Sequence, residues 1–244
     1  MAERAAADAR PPACATLPGG FSFALQLRGG RLELSALHRP GYGPICADWG
    51  STEMRRRIAA GRRQPLARAA GLHKAPLPSV LDANAGLGRD GFLLAALGAD
   101  VTLVERNATV LSLLRDAQRR ALDEPALRPA AERLELLGAD AGSVLASGRR
   151  WDVVYLDPMY PDDGKAALPS KEMQILRDLA GGDPDADRLL APARACARRR
   201  VVVKRPLKAP WLDGAAPDLS LRGTQLRFDV YLCAAAAAHN SGKD

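Results

Sequence analysis

"VLDANAGLGRDGF", residues 80–92, compresses a strand end, a glycine loop and a helix start into one stretch. Val80 and Leu81 form a short apolar run that ends on Asp82, and Gly86 and Gly88 then allow a tight loop. From Asp90 the pattern turns helical and apolar, "DGFLLAALG". Gly86-Leu87-Gly88-Arg89-Asp90-Gly91 is a literal G-x-G-x-x-G, the spacing at which a backbone approaches a nucleotide-like ligand at a helix N-terminus. A strand feeding such a loop and helix is the first half of a βαβ crossover, which predicts a parallel sheet covered on both faces.

Downstream the alternation continues through "DVTLVE", "NATVLSLLRDAQRRAL", "RLELLGAD", a helix near 141–147 and "WDVVYLDP". Helices near 169–180 and 185–197, then "RRVVVKRP" and "LRFDVYL", complete it. The expected fold class is α/β, a Rossmann-like doubly wound sheet over residues 76–233. Upstream, residues 20–75 read as a small appendage. "FSFALQLRGGRLELSAL" is a hairpin about Gly29-Gly30, "PICADW" a further short strand, and Ser51 to Ala70 one helix stopped by Gly71. Residues 1–19, rich in alanine and proline, read as a disordered leader, and 234–244 as a frayed tail.

With 47% hydrophobic residues over 244, the chain can bury one sizeable core and little more. It has no apolar run of about 18 residues to span a bilayer and no apolar leader, so a soluble, cytoplasmic protein is expected. Cys14, Cys46, Cys196 and Cys233 form no C-x-x-C pair, and His38, His73 and His239 have no ligand spacing. Neither a metal site nor a disulfide framework is expected.

The net charge is +7, yet 29 of the 35 cations are arginine and alanine is abundant, a bias a GC-rich genome produces by itself. Position is more informative. Arg55, Arg56, Arg57, Arg62, Arg63, Arg68 and Lys74 fall between Glu53 and Asp82 with no acid among them, and these seven equal the whole surplus. A concentrated cationic segment draws binding energy from counterion release on a phosphate backbone; the alternative is a solvated helix face.

The loop spacing bears on the ligand. In a dinucleotide-binding domain the strand runs almost directly into the first glycine, whereas here Ala83-Asn84-Ala85 separate Asp82 from Gly86. D-x-x-x-G-x-G is the arrangement of S-adenosylmethionine (SAM) sites: a carboxylate at the strand end engages the cationic amino-acid end of that cofactor and would repel a pyrophosphate. Glu105, 19 residues beyond Gly86, is placed to accept from ribose hydroxyls. Asp140 is placed for the adenine amine, or equally as a loop cap.

"VVYLDPMY", residues 153–160, delivers Asp157-Pro158-Met159-Tyr160 to the carboxyl edge of the sheet. It is similar to the [N/D/S]-P-P-[Y/F/W] motif of methyltransferases acting on exocyclic amines of nucleobases, with Met159 in place of the second proline. Such an amine is a poor nucleophile because its lone pair is delocalised into the ring. Hydrogen bonds to the Asp157 carboxylate and Pro158 carbonyl would hold the nitrogen and favour its tetrahedral form, while Tyr160 stacks on the base.

Together these features resemble the RsmJ (YhiQ) family of 16S ribosomal RNA guanine-N2 methyltransferases, from about Asp48 to Leu232. The blocks that carry the resemblance are "DANAGLGRDGF", "LVERN", "VVYLDPMYP", "KEM" at 171–173, "LLAPAR" at 189–194, "RVVVKRP" at 200–206 and "RFDVY" at 227–231. The resemblance implies cofactor contacts at Arg89, Asp90, Glu105, Arg106, Asp140, Ala141 and Asp157, beside Asp82, Gly86 and Gly88. This chain departs from the usual family pattern at Asn84, where threonine is common, and at 140–141, where serines are. The first 47 residues match poorly.

Lys204 and Arg205 are expected beside the substrate mouth, with Lys165, Ser170 and Lys171 near flanking phosphates, joining Arg55, Arg56, Arg57, Arg62 and Arg63 as RNA contacts. The resulting expectation is SAM-dependent methylation of the N2 amine of one guanosine, with 16S ribosomal RNA or the small subunit as partner. It needs no metal, and a monomer is the default. The alternatives are a DNA or other RNA amino-methyltransferase, a nicotinamide oxidoreductase, and a ribosome-binding module without catalysis.

Overall fold

The computed structural model describes residues 20–158, 170–181 and 186–233. The expected leader, Met159, Tyr160, Lys165 and the tail lie outside them. The hairpin forms as β1 (Phe23–Arg28) and β2 (Arg31–Ala36), paired antiparallel. "PICADW" contributes a single bridge, Leu34 to Ile45, instead of a strand.

The expected helix from Ser51 to Ala70 is broken. α1 (Thr52–Ala59) is capped by Ser51 Oγ, a 3₁₀ turn covers Gly61–Arg63, and α2 (Pro65–Ala69) restarts. Proline lacks the donor an uninterrupted helix needs but suits a first position, and the Gln64 side chain donates to the carbonyls of Arg57 and Gly61 at the break.

The remaining elements are β3 (Ser79–Asp82), α3 (Arg89–Ala96), β4 (Asp100–Val104), α4 (Ala108–Asp123), α5 (Arg128–Ala131), β5 (Leu134–Leu137), α6 (Ala141–Leu145) and β6 (Trp151–Leu156). Then come α7 (Lys171–Ala180), α8 (Leu190–Cys196), β7 (Ala197–Pro206), β8 (Leu219–Arg222) and β9 (Leu226–Leu232). The order across the sheet is β5-β4-β3-β6-β7-β9-β8, parallel from β5 to β7, with β9 and β8 antiparallel at the edge.

Both faces are buried, as period-two strands in such a sheet require. Val80, Val153, Tyr155, Val202, Phe228 and Val230 belong to one apolar cluster, while Leu81, Val154, Leu156, Val201, Val203 and Tyr231 belong to the other. The appendage is not a separate body, because Leu34, Ala36, Trp49, Met54 and Leu66 belong to the first cluster. Trp49 stacks on Phe92 at 4.7 Å, and its indole N–H donates to the Leu87 carbonyl at 2.9 Å, fixing the glycine loop from above.

Candidate functional site

The carboxyl ends of β3, β4, β5, β6 and β7 open onto one cleft of about 510 Å³. Open parallel sheets bind ligands at this edge, where successive strands leave to opposite sides. Asp82, Gly86, Glu105, Asp140, Asp157 and Lys204, from five separate strand ends, face it together.

Asp82 ends β3 at 2% exposure, and its Oδ1 has no hydrogen-bond partner. Burial, then the nearby charges of Asp90 and Asp157, pushes its carboxyl well above the usual carboxylate range. A buried, half-satisfied carboxylate is costly, and a cationic ligand group in the cleft removes that cost.

The three loop glycines divide the remaining requirements. Gly86, at φ +52°, has open space where a side chain would stand, so its backbone is bared to the cleft. A Cβ at Gly88 would lie 2.8 Å from Leu114 Cδ2, and one at Gly91 2.2 Å from Leu103 Cδ2. Gly88 therefore serves the close packing of α3, and the cleft lining nearest it is Leu87 and Arg89.

Glu105 accepts from the Gly86 and Asn107 N–H groups at 3.2 and 2.7 Å, which locks the loop to the end of β4. Burial raises its carboxyl. Asp140 caps α6, accepting from Ser143 N–H at 3.1 Å, and lines the cleft beside Ala141; the cap and the lining role coexist. Arg89 reaches Glu172 on α7 at 2.8 Å, and Arg106 lies on the rim. Orphaned carboxylate, bared glycine backbone and a strand-end glutamate fit the sulfonium, amino-acid and ribose parts of SAM.

The other half of the cleft is a network of charges. Lys204 Nζ lies 2.8 Å from Asp157 Oδ2 and 2.9 Å from Asp90 Oδ2. Tyr155 donates its hydroxyl to Asp90 Oδ2 at 2.7 Å, and Arg57 Nη2 reaches Asp90 Oδ1 at 2.5 Å. Although burial opposes it, Lys204 and Arg57 hold the Asp90 carboxyl far below its usual range. Burial raises Asp157; Lys204 counters this and Asp90 adds to it, leaving it above the ordinary value. Burial works against the Lys204 charge as well, but the two carboxylates outweigh it and keep the ammonium protonated. Asp157 is thus tethered by a cation, and buried Pro158 follows it.

Several expected RNA contacts sit elsewhere. Lys204 is inside the cleft, held between two carboxylates and not offered to a phosphate. Arg205, one residue on, points to the opposite sheet face, is 4% exposed and donates to the Pro210 carbonyl at 3.1 and 2.8 Å. Strand alternation separates them. Arg57 turns into the cleft wall. Arg55 pairs with Glu124 and donates to the Gly50 carbonyl, and Arg62 donates to the Leu97 carbonyl.

Lys171 donates to the Gly41 carbonyl at 3.1 Å, and Ser170 caps α7. Arg56 and Arg63 remain exposed with no side-chain partner among the described residues. Sequence reading placed Arg57 among the RNA contacts, not in the cleft wall, and missed Tyr155 as a site residue. The alternation of β6 held the signal for Tyr155, whereas for Arg57 no local signal existed.

Comparisons with known proteins identify the family and the fold. The family model SAM_MT, SAM-dependent methyltransferase, matches residues 17–233. The chain is 46% identical over 220 residues to ribosomal RNA small subunit methyltransferase J of Aeromonas salmonicida, covering 88% of each chain. It is 48% identical over 222 residues to the protein of that name in Vibrio vulnificus, covering 86% of each. Among solved structures, the SAM-dependent methyltransferase NGO1261 from Neisseria gonorrhoeae superposes with a TM-score of 0.70 at 32% identity, over 94% of this chain and 88% of that one. The chain belongs to the family of ribosomal RNA small subunit methyltransferase J, within the SAM-dependent methyltransferases.

Proposed function

We propose that this protein methylates the exocyclic N2 amine of one guanosine in 16S ribosomal RNA, acting in the cytoplasm on the RNA or the small subunit. The observation that carries the reading is Asp157, held by Lys204 at the carboxyl edge in the same cleft as the orphaned oxygen of Asp82. A pocket with a carboxylate for a cation on one side and a carboxylate for an N–H donor on the other suits transfer between a sulfonium and an amine.

Asp82, Gly86, Glu105 and Asp140 would hold SAM, with Arg89, Arg106 and Ala141 around them. When bound, SAM supplies an electrophilic methyl group on sulfur. Asp157 and the Pro158 carbonyl accept from the amine N–H groups, and Lys204 keeps the Asp157 carboxylate aimed and charged. Asp90 fixes Lys204, Tyr155 and Arg57 fix Asp90, and Tyr160 stacks on the base. Support for the ribosomal substrate comes from the names of the relatives, support for an exocyclic amine from the Asp157-Pro158 motif, and support for guanine N2 from the family resemblance.

Transfer of labelled methyl from SAM to isolated small subunits, naked 16S RNA and duplex DNA, followed by nucleoside analysis, tests this. N2-methylguanosine in the RNA is expected, and label in DNA or in no acceptor would refute it. No helix among the described residues is long and apolar enough to cross a membrane.

A further inference from the structure

A second groove of about 510 Å³ opens at the same sheet edge, between the segment that leaves β7 and the edge strand β8. Pro210, Trp211, Pro217, Ser220, Arg222 and Arg227 line it. Its relation to the catalytic cleft follows from strand alternation. Lys204 and Phe228 are cross-strand partners facing the cleft, and their chain neighbours Arg205 and Arg227 are partners on the other face, beneath the groove.

The groove has a rigid floor. Arg227 donates to the carbonyls of Pro206, Leu207 and Ala209 at 3.0, 2.7 and 2.8 Å, and Arg205 donates to that of Pro210. Arg227 is itself held by Asp229 at 2.9 Å, with both residues buried. Two buried arginines thus immobilise a stretch whose outcome is an exposed indole. Trp211 is 48% exposed, whereas Trp49 and Trp151 are 1% and 2%. On the same groove, the exposed Arg222 has no side-chain partner among the described residues. A preorganised aromatic face with an uncommitted cation on the same groove suits a nucleotide, base on the ring and phosphate on the guanidinium.

We infer that Trp211, with Arg222, is a stacking platform for an unpaired RNA nucleotide flanking the target. The inference rests on the RNA-methyltransferase reading. A strand whose target base enters the cleft beside Asp157 crosses the sheet edge at β7 and β9 and meets this groove next. Stacking supplies affinity without reading sequence, and Arg222 adds one phosphate contact.

Trp211 is the exposed one of the three tryptophans, so the difference between the parent and W211A isolates its share of the intrinsic fluorescence. Titration of the full chain with a short unstructured oligoribonucleotide is expected to quench it, with the quenching lost in W211A. For 16S RNA as substrate, W211A should raise KM by about 5- to 100-fold. W211F should recover most of that loss, and SAM affinity should be unchanged in both. R222A should lower the salt slope of binding by about one phosphate.

Absence of quenching, or a KM within about twofold of the parent for W211A on naked RNA, would overturn the inference. A defect seen on assembled subunits and not on naked RNA would also overturn it, assigning the groove to a protein. If the parent enzyme transfers no methyl to 16S RNA, the proposed function fails, and the fluorescence titration still decides the platform.

Discussion

Replacing Lys204 by methionine keeps the apolar stem and removes the charge that lies between Asp90 and Asp157. Two unit charges about 4 Å apart attract by about 4 kcal/mol at an effective dielectric near 20. The Asp157 side chain is 36% exposed, so solvent screening roughly halves that figure, to about 2 kcal/mol. Asp90 retains Arg57 and Tyr155, so the fold should survive. The loss falls on Asp157, whose carboxyl is already raised by burial and would rise further without the ammonium. A protonated Asp157 offers the amine one acceptor fewer. Single-turnover methyl transfer at saturating SAM is expected to drop about 30-fold near neutral pH, the equivalent of about 2 kcal/mol. The acid limb of the pH–rate profile should move upward, so that alkaline buffer recovers part of the rate, and Lys204→Arg should be intermediate. An unshifted acid limb with a rate within about threefold of the parent would refute the tether.

Removing the carboxylate itself, Asp157→Ala, should lower single-turnover transfer by roughly 100-fold or more. In the same assay Tyr160→Phe should be mild and Tyr160→Ala should cost about 1–3 kcal/mol of substrate binding. Asp82 is raised in the free protein. Its contribution to stability is therefore present below the ordinary carboxylate value and lost as pH rises through the raised one, and a bound cation reverses the preference. Calorimetry in buffers of different ionisation enthalpy should detect proton release on SAM binding and affinity increasing with pH, both abolished in Asp82→Asn. Neutralising Arg56 and Arg63 together should flatten the salt dependence of RNA binding with SAM affinity intact, whereas Arg57→Ala should damage methyl transfer; a uniform effect of all three would contradict the division between Arg57 in the cleft wall and the exposed Arg56 and Arg63.

Periodicity along the chain was enough to place β3, β4, β6 and β7, since a strand buried on both faces writes itself as an apolar run. The edge strand β8, "LSLR", was not legible because three of its four residues are exposed and it exists only by pairing with β9. α1 and α2 merged in the reading because a helical pattern spanned Gly61 and Pro65. At the site, Asp82, Glu105, Asp140 and Asp157 were readable because each ends a strand or begins a turn at a fixed distance from one. Charge misled: Lys204, Arg205 and Arg57 look like surface cations in a basic chain, and only their partners at 90, 157 and 210 separate tether, strut and wall. Those partners lie 5 to 114 positions away, which local composition does not encode.

The shared core of the appendage and the sheet sets an order of events during synthesis. α2 packs against β8 and β9, the last strands of the fold, although it is made some 150 residues earlier. Until Leu226–Leu232 has inserted beside β7, Leu66 and Ala69 have no lid. Phe228, a wall of the catalytic cleft, is also missing until then. Closing that contact carries the loop entropy of some 150 residues, which places it late in folding. The strand insertion that completes the core therefore also completes the catalytic cleft, so any opening of β9 removes the Phe228 wall and a core contact together.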